Sequence, residues 1–248
     1  MAPMICRAAR RAAELAGSQF LANFKETNLG KLVPKRKVGA KVAEDAISKL
    51  TNGLLFNMRL TDHPKVTHDY IEFPVSGEMR YVDSQPTPFF PEELGDIENF
   101  DKHLYIAAGD YVLNSLLYHA YQANKLSFTL SPDTVPATFR NVFRTSCGKR
   151  NPGDLAGGGG RGVYNRLCVG NLIPAIGREY PNTMTEIDMV PHGLPTFKLV
   201  QDKGKVEGRN RILIYDTRGG RRRQLMVIGA EMSSDLRILP DVSGGRIR

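Results

Sequence analysis

The 248-residue chain has no tryptophan and only three cysteines. Cys6, Cys147 and Cys168 match no zinc-ligand spacing, and three cannot all pair with one another, so one is left over, as a buried free thiol or with a partner outside the chain. No apolar run approaches the ~18 residues that a membrane-spanning helix needs. The opening MAPMICRAARRAAELAG carries basic residues with no apolar core behind them, so it is not read as a secretory signal. Its Arg and Ala content loosely suits an organelle transit peptide and suits a surface helix better.

Catalytic and cofactor motifs are also missing. The five histidines, His63, His68, His103, His119 and His192, form no HxH or HxxxH pair, and GxSxG does not occur. GDLAGGGGRG at 153–162 could bring backbone close to a phosphate, but it lacks Lys-Ser/Thr and a strand-loop-helix setting. It reads as a flexible insertion. The carboxylates at 92–101 sit beside prolines and read as solvated charge. No catalytic centre, metal or cofactor is expected, and the chain is not expected to be an enzyme.

What is present is an ordinary globular composition, 41% hydrophobic and 24% charged, with a net charge of +8. The charge is unevenly spread. Residues 1–41 hold nine Lys/Arg against two acids, 42–139 six against fourteen, 140–166 six against one, and 198–223 nine against three. The blocks PKRK, CGKR and RGGRRRQ suit anionic lipid headgroups, lipopolysaccharide phosphates or nucleic acid, and equally suit solvated loops.

Periodicity predicts helices over 5–24 and 40–50, and strands over 54–60 and 69–82, with Pro74 confining the second to an edge or bulge. DSQPTPFFPEELGD, 83–96, reads as a linker. A shorter helix at about 167–180 is interrupted by Pro174 and stopped by Pro181-Asn182. Long strands follow, two of them joined by a hairpin turn at DTRGGRRR. Helices ahead of antiparallel strands, without βαβ alternation, give the fold class α+β.

One stretch changes character midway. In DYVLNSLLYHAYQANKLSFTL, 110–130, Asp110 is a good N-cap, and Leu113, Leu116, Leu117, Ala120 and Tyr121 form one helical stripe. After Asn124, Leu126, Phe128 and Leu130 alternate with polar residues as a half-buried strand does. The stripe either packs as core against the following sheet or lines a slot that helix and sheet leave open for acyl chains. Periodicity alone does not separate the two.

HLYIAAG followed by DYVLNSLLYHAYQANKLSFTLSPDTVP resembles the start of the C-terminal barrel in the bactericidal/permeability-increasing and lipopolysaccharide-binding protein family, which also includes cholesteryl ester and phospholipid transfer proteins. Asp110, Tyr111, Asn114, Ser115, Tyr121, Gln122, Leu126, Thr129 and Leu130 carry the likeness. NLIPAIGREYPNTMTEIDMVPHGLPTFKLVQDKGKVEG resembles the next helix and its paired strands, and EFPVSGEMRYVDSQPTPFFP the central-sheet strand and inter-barrel linker. The likeness covers roughly 50–240.

The resemblance implies a twisted antiparallel sheet, an incomplete barrel wrapped around amphipathic helices, forming half of a two-barrel architecture. It divides the chain into a remnant of the N-terminal barrel and central sheet at 1–82, a linker at 83–101, and an incomplete C-terminal lipid-binding barrel at 102–248 with a Gly-rich insertion at 148–162. It implies a secreted protein that binds phospholipid or lipopolysaccharide, for lipid transfer or antibacterial defence, with an anionic membrane surface as a further partner. The pocket would use Leu113, Leu116, Leu117, Ala120 and Tyr121 with Leu172, Ile173 and Ile176. Cys6 resembles the second member of the family disulfide, so its partner would lie upstream of Met1 and the chain would be a fragment. The rival readings are a basic nucleic-acid-binding module using 31–41 and 218–223, and a structural remnant that binds nothing. Against the first, the basic blocks lie far apart and no aromatic residues interleave with them.

Overall fold

The protein is seen in a computed structural model that describes residues 26–28, 41–95, 105–147, 168–200, 203–236, 240–241 and 246–247. The expected helix at 5–24, Cys6, PKRK and the glycine run at 153–162 lie outside these residues. The chain divides into two compact units, Met1–Val33 with Gly53–His119, and Pro34–Asn52 with Ala120–Arg248.

The first unit has a three-stranded antiparallel sheet of β1 (Glu26–Asn28), β2 (Leu54–Asn57) and β5 (Glu78–Tyr81), in the order β1-β2-β5. Leu54 opposes Tyr81, and both are buried. A short ribbon pairs β3 (Lys65–Val66) with β4 (Ile71–Glu72). The single strand expected over 69–82 is therefore two. Pro74 has no N–H to give, and Gly77 takes φ +65 and turns the chain. A Cβ on Gly77 would stand 3.3 Å from Val112.

In the second unit a helix α1 (Lys41–Thr51) precedes a five-stranded antiparallel sheet. The helix α2 (Tyr111–Gln122) starts after Asp110, as expected, and its last residues belong to this unit. The sheet comprises β6 (Phe128–Leu130), β7 (Thr185–Pro191), β8 (Thr196–Val200), β9 (Lys203–Asp216) and β10 (Arg223–Leu236). Its order is β10-β9-β7-β6, with β8 also paired to β9. Among the described strands it stays open, because β10 and β6 end the order without pairing with each other. The fold is α+β. β11 (Pro240–Asp241) and β12 (Arg246–Ile247) pair only with each other among the described strands.

The expected helix at 167–180 is two pieces, α3 (Val169–Leu172) and α4 (Pro174–Glu179), because Pro174 removes the donor that would continue it. Both lie against the backbone of Arg144 and Thr145. Gly170 N–H donates to Arg144 O at 3.2 Å, and a Cβ on Gly170 would overlap Thr145 O. Thr145 and Thr183 exchange hydrogen bonds, Thr145 N to Thr183 O and Thr183 N to Thr145 Oγ1, both at 3.0 Å. Phe143 and Thr145 are buried, so this end of the basic stretch 140–166 belongs to the core. Beside it, Cys147 and Cys168 form a disulfide with Cα atoms 5.9 Å apart. The described pair is thus within the chain, and Cys6 is the remaining cysteine.

Candidate functional site

Strand register decides which side chains share a face, because paired residues project to the same side and successive residues alternate. Ile187 pairs with Ile214 and Met189 with Ile212 between β7 and β9. Across β9 and β10, Met226 pairs with Ile214, Ile228 with Ile212, Met232 with Gly208 and Leu236 with Gly204. Phe197 and Leu199 of β8 face β9 at Val206 and Gly204. These residues define one apolar face, here called the inner face.

The other face is charged. Arg222 bonds Glu186 and Asp188, each at 2.9 Å, and Thr129 donates to Asp188 Oδ1 at 2.7 Å. Arg209 pairs with Glu231 at 3.2 Å. A groove of about 500 Å³ between α1 and β6–β7 has a mixed lining, with Asp45, Lys49 and Asp188 beside Ala46, Phe128 and Val190. Lys49 Nζ donates to Ser127 O at 2.8 Å beside it. None of the eight residues expected to line a pocket borders it.

Among the described residues, helices cover the inner face at one end. Val169 and Ile176 of α3 and α4 pack with Ile214, and Ile173, Tyr180, Ile187, Ile212, Leu225 and Met226 surround them. Each fully buried aliphatic side chain of this kind contributes about 2 kcal/mol. Toward the far end of β10 no described helix covers the face: Ile228 is 36% exposed, Met232 47% and Leu236 45%, and Leu199 of β8 is 49% exposed. Opposite Met232 and Leu236 stand the β9 glycines Gly208 and Gly204. The Phe197 ring lies over Gly204, where a Cβ would collide with it, and Pro195 would sit 3.3 Å from a Cβ on Gly208. The Phe197 ring and Pro195 thus occupy the space over these glycines, and Leu199, Met232 and Leu236 stand exposed beside them as an apolar patch.

Of the residues singled out from the sequence, Ile173 and Ile176 join the core beneath α3 and α4, and Leu172 is exposed. On α2, Ala120 is fully buried, while Leu113, Leu116, Leu117 and Tyr121 are half-buried. The deepest positions among Tyr111–His119 are polar, Ser115 at 0% and His119 at 2% exposure. Ser115 Oγ accepts from Met79 N at 3.0 Å and donates to Val112 O at 2.9 Å. His119 Nε2 meets Glu78 Oε1 at 3.2 Å, and the same oxygen accepts from Thr87 N at 3.0 Å. Thr87 Oγ1 lies 2.9 Å from Tyr111 OH. Burial pushes the Tyr111 phenol up; the Thr87 bond opposes this and the Glu78 charge reinforces it. Helical spacing pointed to the leucines and missed this polar chain, because a backbone donor on β5 leaves no sequence signal on α2.

The hairpin turn between β9 and β10 is basic. Arg223 stacks over the Tyr180 ring at 4.6 Å and Arg222 over Tyr215 at 4.2 Å. Arg218 Nε bonds Asp216 Oδ2 at 2.9 Å, and Arg221 is exposed. Burial would raise the Asp216 carboxyl, but hydrogen bonds from Thr183 and Arg218 outweigh it and hold the group below its ordinary 3.8. No group of His, Cys, Asp and Glu among the described residues could hold a metal ion. No described helix is long and apolar enough to cross a membrane.

A family model described as the LBP / BPI / CETP family, C-terminal domain, matches residues 48–242. Among solved structures the chain is similar to a crystal structure of lipopolysaccharide binding protein, with 14% sequence identity and a TM-score of 0.31. That match covers 77% of this chain and 38% of the other, so the chain spans well under half of that protein's length. No curated protein sequence matches.

Proposed function

Because the chain belongs to the LBP / BPI / CETP family, we propose that it binds lipid without catalysing a reaction, laying acyl chains along the uncovered end of its inner sheet face. The observation that carries this reading is the apolar patch of exposed Leu199, Ile228, Met232 and Leu236 on the inner face. Each methylene that leaves water there contributes about 0.8 kcal/mol, so one long acyl chain outweighs the cost of ordering it. The half-buried Leu113, Leu116, Leu117 and Tyr121 of α2 and the exposed Leu172 are further candidates for acyl contact.

Phospholipid or lipopolysaccharide is the proposed ligand class, as a transferred lipid or as a recognised bacterial one. The arginines at the β9–β10 turn stand at the opposite end of β10 from Leu236 and are assigned to an anionic membrane surface. Basic blocks alone would suit nucleic acid equally; membership of this family favours lipid. The Cys147–Cys168 disulfide supports a secreted protein, since such bonds persist in oxidising compartments.

Lipids extracted from the purified chain and analysed by mass spectrometry test the reading. Stoichiometric phospholipid or lipopolysaccharide in the native chain, lost in Met232→Lys with Leu236→Lys, is expected. A lipid-free native chain that also takes up no fluorescent phospholipid from vesicles overturns it.

A further inference from the structure

The proline-rich stretch that follows β5 is docked. Residues 84–89 form neither helix nor strand, but alternate side chains are anchored: Thr87 is buried and Phe89 half-buried, while Pro86, Pro88 and Phe90 are exposed. The start is tied to β5, where Ser84 Oγ accepts from Tyr81 N at 2.9 Å. Thr87 N donates to Glu78 Oε1 at 3.0 Å, the oxygen that His119 of α2 also meets, and Thr87 Oγ1 lies 2.9 Å from Tyr111 OH. The Phe89 ring then stands edge-on to both Tyr111 and Tyr118, two turns apart on α2, with centroids 5.8 Å from each.

Proline suits such a segment. Pro86 and Pro88 fix φ, so little entropy is lost on docking, and they leave no unpaired N–H at the outward positions. The seam between α2 and β5 beside it is polar. Ser115 and His119, the deepest positions of Tyr111–His119, meet β5 through hydrogen bonds to Met79 N and Glu78. A hydrogen-bonded seam exchanges its partners for water when it opens, at far lower net cost than the gross strength of its bonds. The hold on this stretch of α2 therefore rests on discrete contacts, those of Thr87 and Phe89 among them.

We propose that residues 84–89 are a releasable strap. Docked, it locks Tyr111–His119 against β5; released, it lets that stretch lift and admit an acyl chain along Leu113, Leu116 and Leu117. The gate rests on the lipid-binding reading, and the strap itself does not.

Phe89→Ala with Thr87→Val loosens the strap. Phe89→Cys with Tyr118→Cys, in a Cys6→Ser background and joined by a bifunctional thiol reagent, locks it. Hydrogen exchange on the full chain reads the strap without lipid. In the loosened chain the amides of Tyr111–His119 are expected to exchange at least ~10-fold faster, with those of β9 unchanged, and in the cross-linked chain more slowly than in the native one. Uptake of a fluorescent phospholipid from phosphatidylcholine vesicles is expected to be faster in the loosened chain and slower in the cross-linked one. Unchanged exchange in α2, or an equal rise in β9, overturns the strap. Faster exchange in α2 with equal uptake by all three chains overturns the gate. No uptake by any of them, native included, overturns the lipid-binding reading and the gate with it, and the exchange rates then decide the strap by themselves.

Discussion

Nε2 of His119 on α2 lies 3.2 Å from Oε1 of Glu78 on β5, and both side chains are buried. The carboxylate also accepts from the Thr87 backbone N–H at 3.0 Å, so one oxygen joins helix, strand and the following loop. Neither residue stood out in the sequence, where the histidines are scattered and Glu78 is one acid among many.

Removing one partner strands the other. His119→Ala is expected to cost about 3–5 kcal/mol in denaturant unfolding, because the buried carboxylate keeps only Thr87. Glu78→Gln retains an acceptor for Thr87 and is expected to cost about 1–2 kcal/mol. Equal and small costs for both variants would count against a functioning pair.

Gly170→Ala should be among the most damaging single-methyl additions in the chain, because its Cβ would overlap Thr145 O, a backbone atom that cannot swing aside. A loss of about 3 kcal/mol or more, or failure to fold, is expected. Gly193→Ala, whose Cβ would meet nothing within 4 Å, is the control and should stay within about 0.5 kcal/mol.

Asp216 gives stability a pH dependence at the acid end. Its folded carboxyl is held below 3.8, so its contribution is fully present above that value and is lost as the pH falls through the depressed one. Acid titration followed by tryptophan-free far-ultraviolet circular dichroism should show this loss below about pH 4. Asp216→Asn should be less stable at neutral pH and flatter below it. An unchanged acid profile in the variant would remove Asp216 from the account.

Reducing the Cys147–Cys168 bond frees a loop with a sequence separation of 21. A stability loss of about 3 kcal/mol is expected on reduction or in Cys147→Ser with Cys168→Ser. Thermal melts with and without reductant check it, and coincident melts would contradict it.

Several features were legible before any coordinates. The helix after Asp110, the alternation at 126–130, the break at Pro174 and the turn at DTRGGRRR are local events, set by caps, side-chain period and the missing proline N–H. The order of the pieces also carried the family, whose model matches 48–242. The polar face of α2 was not legible, because Ser115 and His119 are buried by a backbone N–H and a carboxylate from β5, 36 and 41 residues away.

By itself, then, the amino-acid order determined the element types, the α+β class and the family, since each depends on neighbours a few residues apart or on a linear pattern. Tertiary structure alone decided which leucines and isoleucines are core and which are left uncovered. Ile176 and Met232 are equally apolar in the sequence, but α4 covers the sheet at Ile214 and no described helix covers it opposite Gly208. Cover of that kind is fixed by register across strands far apart in the chain, and no local rule encodes it.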